Sequence, residues 1–251
     1  MWYIRIAARS TSIFFWGFVC ATSFFVLLPT CLFSKNAPSK RIAAERLSAR
    51  LFRQYLERLG ATYIKLGQIM STRPDLLPDA VIEELQLLQD RVPPFSSREA
   101  IQQIENAIGQ SLDEIFSEFN HDPVASASVA QVHRGTLRSG EHVAIKVRRP
   151  NIKEQVALDE GLMHLFAKML ALIPTISLLA PVEMFEEFSK GIRAQLDFRT
   201  EAENNRKFAT NFQDQDAIHF PILFEEYCHE NILVMEFIEG VKETDLENIQ
   251  I

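Results

Sequence analysis

The sequence predicts an α+β fold, in which a small antiparallel sheet is combined with several helices. Three observations support this class. Apolar residues recur at helical spacing in the first part of the chain, alternating and β-branched residues follow Phe116, and helical spacing returns from about Ile152. Two short apolar segments near the end of the chain predict further strands.

The first helices are predicted from apolar spacing and from their end signals. A helix runs from Arg41 to about Arg58, Gly60 marks a break, and a second helix carries Tyr63 to Met70. A third runs from about Asp79 to Gln89. The next begins at a capping box, Ser96 with Glu99, and ends near Gly109; Ser111 with Glu114 repeats that pattern.

The central segment SVAQVHRGTLRSGEHVAIKVRRP predicts a β-hairpin. Its two alternating runs flank Arg138-Ser139-Gly140, and the glycine suits the turn. The remaining predicted elements are a helix over Ile152–Ile173, a helix from Pro181 through Phe212 with Gly191 as its weak point, and strands around Leu223–Tyr227 and Ile232–Phe237.

The charge of the chain is unevenly distributed. Seven basic residues stand against two acidic ones from Lys35 to Arg58, although the whole chain carries a net charge of -7. The rest of the chain is therefore acidic, which excludes general nucleic-acid binding and makes anionic membrane lipid the expected partner of the basic segment. The three cysteines, Cys20, Cys31 and Cys228, form no CxxC pair, so we expect neither a disulfide framework nor a metal site.

An uncharged N-terminal run, STSIFFWGFVCATSFFVLLPTCLFS, lies between Arg9 and Lys35. About 20 apolar residues suffice for a helix to cross a bilayer, so this run predicts a transmembrane anchor over residues 1–36. A cleaved signal peptide and a buried or interfacial helix are the alternatives. Positive charge is denser after the run, which predicts an inner-membrane location with the body on the cytoplasmic side.

A nucleotide site is predicted from three elements in a fixed order. Four small residues, Ala125, Ser126, Ala127 and Ser128, would let backbone amides approach phosphates just before the hairpin. Lys146 lies on the second hairpin strand, and Glu201 on a later helix can fix its position. This order is the layout of a protein-kinase-like N-terminal lobe.

At these motifs the chain resembles the UbiB (ABC1/AarF) family of atypical kinase-like proteins, which are associated with ubiquinone biosynthesis. YIKLGQ resembles the family's KxGQ motif, VASASVAQVHRG its alanine-rich loop, VAIKVRRP its lysine strand and LDFRTEAEN the region of its helix glutamate. The resemblance covers roughly residues 40–251 and implies two parts, a helical extension over 37–110 and a kinase-like N-lobe over 111–251.

The resemblance also implies site residues and ligands. Lys65 and Gln68 would act at the catalytic site with Asp197, whereas Lys146, Glu201 and Glu236 would contact ATP or ADP together with the small-residue loop. The KxGQ element would fold over the pocket, which suits ATP hydrolysis or small-molecule phosphorylation. Quinone precursors and other ubiquinone-biosynthesis proteins are the implied partners.

The sequence departs from the family pattern in two places. Gln195 stands where the family's ExD motif has its first acid, which leaves only Asp197. No HxDxHxGN-like or DFG-like run follows, so Mg²⁺ binding would need a C-terminal lobe beyond Ile251. The chain is thus expected to be part of a longer enzyme or a non-catalytic nucleotide- or lipid-binding scaffold; a membrane-anchored helical protein without a nucleotide site is the third alternative.

Overall fold

The computed structural model describes residues 2–32, 37–89, 93–215 and 217–240. These residues form two compact units that are interleaved along the chain. The first unit comprises Met1–Pro94, Ser126–Val129 and Pro150–Leu196, and the second comprises Phe95–Ala125, Ala130–Arg149 and Asp197–Ile251. Each unit is described by itself below.

The first unit is helical. Its helices are α1 (Trp2–Leu32), α2 (Ala37–Leu59), α3 (Ala61–Met70), α4 (Asp79–Gln86), α7 (Ile152–Ala171), α8 (Pro174–Ser177) and α9 (Pro181–Leu196), with a 3-10 turn at Leu87–Gln89. The helices predicted between Arg41 and Ile173 are confirmed, with ends shifted by a few residues. A buried cluster joins α2, α3, α4 and the 3-10 turn: Leu56, Leu59, Tyr63, Ile64, Leu85 and Leu88.

The second unit is built on an antiparallel sheet. Its strands are β1 (Phe116–Phe119), β2 (Ala125–Ser126), β3 (Ala130–Leu137), β4 (His142–Arg148) and β5 (Ile232–Glu236), and its helices are α5 (Ser97–Ile108), α6 (Leu112–Ile115) and α10 (Phe198–Asn211), with a 3-10 turn at Glu225–Tyr227. The strand order is β1-β3-β4-β5, with β2 beside β3. The predicted hairpin is β3–β4, and the predicted α+β class is confirmed.

The sheet buries one face against α5 and α6. Val143, Ile145 and Val147 of β4 are each 0% exposed and pack with Ile104 of α5. The neighbouring Lys146 points to the opposite face because successive strand residues alternate. The core of this unit therefore determines the face on which the lysine lies.

Both predicted capping boxes are present. The Ser96 hydroxyl accepts from the Glu99 N–H while the Glu99 carboxylate accepts from the Ser96 N–H, and Gly109 ends α5 with φ 79°. The Glu114 carboxylate accepts from the Ser111 N–H at 2.8 Å. These local signals begin helices correctly because each one satisfies amides that have no partner inside the helix.

Two predictions about later elements are wrong. The segment Pro181–Phe212 is two helices rather than one, and the break lies at Asp197, not at Gly191. Asp197 is extended and its side chain accepts from the Arg199 N–H, so it caps a new helix. The predicted strand Leu223–Tyr227 is a single bridge, from Leu223 to Met235, followed by the 3-10 turn.

The N-terminal run also differs from its prediction. In the described part of the chain, no helix is long and apolar enough to cross a membrane, so the predicted transmembrane helix is not supported. Instead, α1 packs against α2: the Tyr55 hydroxyl donates to the Ile13 carbonyl, and the Cys20 thiol donates to the Leu51 carbonyl. The end of the run, at residues 33–36, lies outside the described residues.

A buried ion pair fastens α1 to the first unit. The Arg9 guanidinium donates to both carboxylate oxygens of Asp159 on α7, at 2.6 and 2.9 Å, and to the Leu59 carbonyl. The Asp159 side chain is 0% exposed and that of Arg9 is 16% exposed. Because a buried carboxylate needs its partner, this pair is far more sensitive to single substitutions than a surface pair.

We predict that Arg9→Ala lowers the free energy of unfolding by about 3–5 kcal/mol, because it leaves the Asp159 carboxylate buried without a counter-charge. Replacing both residues by apolar ones should cost less than Arg9→Ala alone. Urea unfolding measures both effects. Arg73→Ala, which removes an exposed pair with Asp75, is the control and should have little effect. An equally small effect of Arg9→Ala would contradict the prediction.

Candidate functional site

The central feature of the second unit is an ion pair between β4 and α10. The Lys146 ammonium donates to both carboxylate oxygens of Glu201, at 2.7 and 2.6 Å. The Lys146 side chain is 22% exposed and that of Glu201 is 42% exposed, so the pair is open to solvent on one side. The ammonium also lies 4.9 Å from the centre of the Phe198 ring, within cation–π range.

The backbone on both sides of this ion pair is firmly held. Lys146 is paired with Val132 of β3 and with Leu233 of β5, so β4 is hydrogen-bonded along both edges. Such a residue has little backbone freedom, and only its side-chain torsions remain to be fixed. Glu201 and Phe198 limit those torsions.

One carbonyl ties the end of β4 to the start of α10. The Glu230 carbonyl accepts from the Phe198 N–H at 3.0 Å and from the Arg148 guanidinium at 3.0 Å. Phe198 itself is 1% exposed. Besides the ion pair, the Glu230 carbonyl and the buried Phe198 ring thus connect the strand that carries Lys146 to the helix that carries Glu201.

The residues of the predicted small-residue loop are divided between the two units. Ala125 belongs to the second unit and Ser126, Ala127 and Ser128 to the first. Ser128 is buried, Ser126 is half-buried and the two alanines are exposed. In the second unit, the preceding residue is held by the Val124 N–H, which donates to the Val132 carbonyl. The role of this loop in phosphate binding stays a prediction.

The residues of the KxGQ element lie on α3 in the first unit. Lys65 is half-buried, and the Gln68 side-chain amide donates to the Leu88 carbonyl at 3.1 Å. Gly67 is buried where α3 approaches its neighbours: a Cβ there would lie 2.9 Å from Leu56 Cδ1 and would collide with Leu88 Cδ1. In the structure the glycine and the glutamine thus join α3 to the segment around Leu88.

The acidic element next to α10 contains Asp197. Its Oδ1 accepts from the Arg199 N–H at 3.1 Å, and its Oδ2 accepts from the Arg199 guanidinium at 2.7 Å. Asp197 therefore begins the helix on which Glu201 lies. Gln195 is exposed in the last turn of α9. The predicted catalytic role of Asp197 stays a prediction.

Glu236 ends β5 and has local partners. Its carboxylate accepts from His219 Nε2 at 2.8 Å and from the Ile222 N–H at 3.2 Å. The His219 hydrogen bond, followed by the Ile222 N–H, lowers the pKa of the Glu236 carboxyl. These contacts hold the segment before β5, and the predicted contact of Glu236 with nucleotide stays a prediction.

A series of buried side-chain hydrogen bonds, on the face of the sheet opposite Lys146, was not predicted from the sequence. Gln131 and His133 of β3 are both 0% exposed. Gln131 Oε1 accepts from the Phe95 N–H at 3.0 Å, its amide nitrogen lies 2.8 Å from His133 Nε2, and His133 Nδ1 lies 2.9 Å from the Asn120 carbonyl. The alternating polar residues Gln131 and His133 in AQVHRG could have indicated these hydrogen bonds from the sequence.

Only one protonation state of the His133 ring satisfies all of these hydrogen bonds. The Asn120 carbonyl can only accept, so His133 Nδ1 carries the proton. The Gln131 amide nitrogen then donates to His133 Nε2, while the Gln131 Oε1 accepts from the Phe95 N–H. The Phe119 ring stacks on the imidazole with a centroid distance of 5.0 Å. Burial lowers the pKa of His133 below its usual value, which agrees with a neutral ring.

The described residues do not assemble a metal site. No three His, Cys, Asp or Glu side chains converge in this part of the chain. A complete ligand set for Mg²⁺ is not found among these residues.

Comparison with known proteins gives consistent matches. The ABC1 atypical kinase-like domain matches residues 87–251. A protein named "Probable protein kinase UbiB" from Marinobacter nauticus is 41% identical over 228 residues, which is 90% of this chain and 40% of that protein. Its namesake from Histophilus somni is 43% identical over 203 residues, which is 78% of this chain and 37% of that protein.

The chain spans about two fifths of the length of these curated relatives. A solved structure of a Mycobacterium tuberculosis protein in complex with erythromycin aligns with a TM-score of 0.48 at 27% identity, over 72% of this chain and 46% of that one.

We predict that Gly67→Ala lowers the free energy of unfolding by about 1–2 kcal/mol, because overpacking among Leu56, Leu85 and Leu88 outweighs the better helix propensity of alanine. Gly161→Ala on α7 is the matched control. A Cβ at Gly161 meets nothing within 4 Å, so that change should stabilise by up to about 1 kcal/mol. Chemical unfolding of both variants tests the prediction. A neutral or stabilising effect of Gly67→Ala would show that the leucine side chains move to accommodate the added methyl group.

We also predict that His133 makes stability fall on acidification. Because its folded pKa is lowered, the unfolded chain binds the proton more readily, and the free energy of unfolding decreases as the pH falls below about 6.5, by at most about 1.4 kcal/mol per pH unit. His133→Asn, which keeps a donor for the Asn120 carbonyl, should remove this part of the slope.

Urea unfolding between pH 5 and 7.5 measures this slope, and ¹⁵N NMR of the imidazole identifies the protonated nitrogen. The same substitution at the exposed His142 controls for the loss of a histidine. A proton on Nε2 in the folded protein, or an unchanged slope in His133→Asn, would refute the assignment.

Proposed function

Because the chain belongs to the ABC1 atypical kinase-like family and has that family's kinase-like α+β fold, we propose that it binds ATP or ADP as part of a UbiB-type kinase or ATPase that supports ubiquinone biosynthesis. The observation that carries the proposal is the two-pronged Lys146–Glu201 ion pair. In kinases a strand lysine paired with a helix glutamate holds the nucleotide phosphates.

The electrostatics of the pair support this role. Lys146 is in the middle of the sheet, where backbone pairing holds it, yet a fifth of its side chain is exposed. A phosphate that approaches from solvent meets an ammonium whose position Glu201 already fixes, so little side-chain entropy is lost on binding.

The wider role belongs to the same proposal. ATP with Mg²⁺ would be the cofactor of the complete enzyme, and quinone precursors or other ubiquinone-biosynthesis proteins its partners, at the inner membrane with the body of the chain on the cytoplasmic side. Lys65, Gln68 and Asp197 would act at the catalytic site, and Glu236 together with the loop Ala125–Ser128 would contact the nucleotide.

A second candidate is a scaffold that binds nucleotide without turning it over. It is favoured by the neutral Gln195 at the position of the family's first acid. ADP binding without release of phosphate from ATP would support this candidate over the enzyme.

We predict that Lys146→Met weakens ADP binding at least about tenfold, a loss of about 1.4 kcal/mol, because it removes the ammonium and leaves the fold intact. Glu201→Gln should weaken binding less, since the lysine keeps its charge but loses its fixed position. Thermal shift and calorimetry with ADP give the affinities.

Lys207→Met is the matched control, because Lys207 is an exposed lysine on the same helix as Glu201. It should bind ADP like the unsubstituted protein. The proposal fails if the unsubstituted protein shows no ADP-induced shift, or if Lys146→Met binds as tightly as the control.

A further inference from the structure

Helix α7 has apolar residues on two opposite sides. Its inner side is buried in the first unit and includes Ile152, Val156 and Ala167. The opposite side, together with the C-cap, bears five apolar residues at alternating spacings of four and three, which we name the apolar stripe: Leu158, Leu162, Leu165, Met169 and Leu172. A helix that is apolar on both sides needs two apolar partners, and the first unit supplies one of them.

Much of the apolar stripe is open to solvent. Leu165 and Met169 are each 58% exposed and Leu172 is 82% exposed, while the other two members are half-buried. Phe166 and Ile173, on the border of the stripe, are 60% and 45% exposed. A contiguous apolar surface of this kind marks a site of interaction with another molecule.

Ion pairs on the inner side hold the orientation of α7. The Asp159 carboxylate accepts from the Arg9 guanidinium of α1 at 2.6 Å, and the Glu160 carboxylate accepts from the Arg193 guanidinium of α9 at 2.7 Å. The side chains of Asp159 and Glu160 are 0% and 9% exposed. The apolar stripe therefore cannot turn inward without breaking two ion pairs whose carboxylates are buried.

The spacing of the apolar stripe indicates what kind of surface can cover it. Alternating steps of four and three residues give the 3.5-residue repeat with which two helices pack their side chains into each other's gaps. The repeat extends over residues 158–172, which is about 21 Å of helix. A second copy of α7 presents the same repeat, so the stripe is complementary to itself, as a two-fold symmetric interface requires.

The charges nearby disfavour an anionic bilayer as the partner of the stripe. Residues 154–193, which contain most of α7 and α9, include six acidic and three basic residues. From Gly161 to Ile173 the one charged residue is Lys168. Anionic headgroups repel a segment with an excess of carboxylates, whereas a stripe with a single charged neighbour can be buried against another protein surface.

The exposed area is sufficient for a reversible dimer. At about 200 Å² for a fully exposed large apolar side chain, Leu165, Phe166, Met169, Leu172 and Ile173 expose roughly 600 Å² in each copy. Specific interfaces begin at about 600 Å² per partner, whereas most crystal contacts stay below about 400 Å² per partner. The stripe and its border thus reach the lower end of the range for specific association.

We propose that α7 docks onto α7 of a second copy of this chain through the apolar stripe and forms a two-fold symmetric dimer. An interface at the lower end of the size range dissociates on dilution, so monomer and dimer are in exchange. All the residues involved belong to the first unit, and the inference stands whether or not Lys146 binds nucleotide.

Sedimentation velocity of the whole chain, from about 1 to 100 µM, tests the proposal. We expect the sedimentation coefficient to rise from the monomer to the dimer value as the concentration increases. Leu165→Glu with Met169→Glu should weaken association at least tenfold, because the dimer would bury the new carboxylates. Since both side chains are exposed, the urea midpoint should not change. Leu165→Ser with Leu172→Ser, which adds no charge, should weaken association in the same direction.

Two further samples locate the interface. Phe14→Ser with Phe18→Ser, which are 77% and 68% exposed on α1 of the same unit, is the control and should dimerise like the unsubstituted protein. A mixture of the Leu165→Glu, Met169→Glu variant with a Leu165→Lys, Met169→Lys variant should regain a dimer, because opposite charges then meet across the two-fold interface.

The proposal is wrong if the unsubstituted protein is monomeric at every concentration, if both stripe variants dimerise as strongly as the unsubstituted protein, or if the α1 control loses the dimer equally. A mixture of glutamate and lysine variants that stays monomeric, while the unsubstituted protein dimerises, would refute the pairing of the stripe with itself. A monomeric protein that binds lipid vesicles, and loses this binding in the stripe variants, would assign the stripe to a membrane instead.

Discussion

Strand β4 must bury one of its faces and carry a cation on the other, and the second unit depends on this constraint. Val143, Ile145 and Val147 fill the core, and Lys146 between them reaches Glu201. A slip of one residue would bury the ammonium and expose the valines, so the hydrophobic core itself keeps the lysine in register. The position of the charged residue is thus a consequence of apolar packing.

The partner of the lysine is placed by a second set of contacts. Glu201 lies in the first turn of α10, and the start of that helix is fixed by the Asp197 cap, the buried Phe198 ring and the Glu230 carbonyl. Arg148 reaches the same carbonyl from the end of β4. The strand and the helix therefore share one acceptor, the Glu230 carbonyl. This shared contact helps to position Lys146 and Glu201, whose own ion pair is partly exposed and therefore weak.

Features with a local physical cause could be predicted from the sequence. The capping boxes at Ser96 and Ser111 and the hairpin are examples, since they follow from spacing and turn chemistry. The Lys146–Glu201 pair joins residues 55 positions apart and was predicted only because the order of motifs matches a kinase-like lobe. The start of α10 was not predicted, because the helical pattern continues from Pro181 through Phe212 and only Gly191 stood out as a weak point, whereas Asp197 begins a new helix by capping it.

Features that depend on distant partners and belong to no recognised order of motifs could not be predicted. The uncharged run in α1 predicts a membrane span from local hydropathy alone. Hydropathy gives no sign that Arg9, just before the run, pairs with Asp159 at a separation of 150 residues. The hydrogen bond from Gln68 to Leu88 is likewise a tertiary contact. Gln131 and His133 break the apolar pattern of β3, and only the backbone groups of Phe95 and Asn120 explain why a strand core contains them.

Asp197 shows how one carboxylate can serve both the fold and the proposed chemistry. Its Oδ1 accepts from the Arg199 N–H and from the guanidinium Nε, and its Oδ2 accepts from the guanidinium Nη2; the arginine side chain is 64% exposed. An exposed ion pair contributes little and can exchange partners readily, whereas the cap is part of the helix start. Loss of the guanidinium contacts would therefore leave the hydrogen bond from the Arg199 N–H to Oδ1, and with it the start of the helix that carries Glu201.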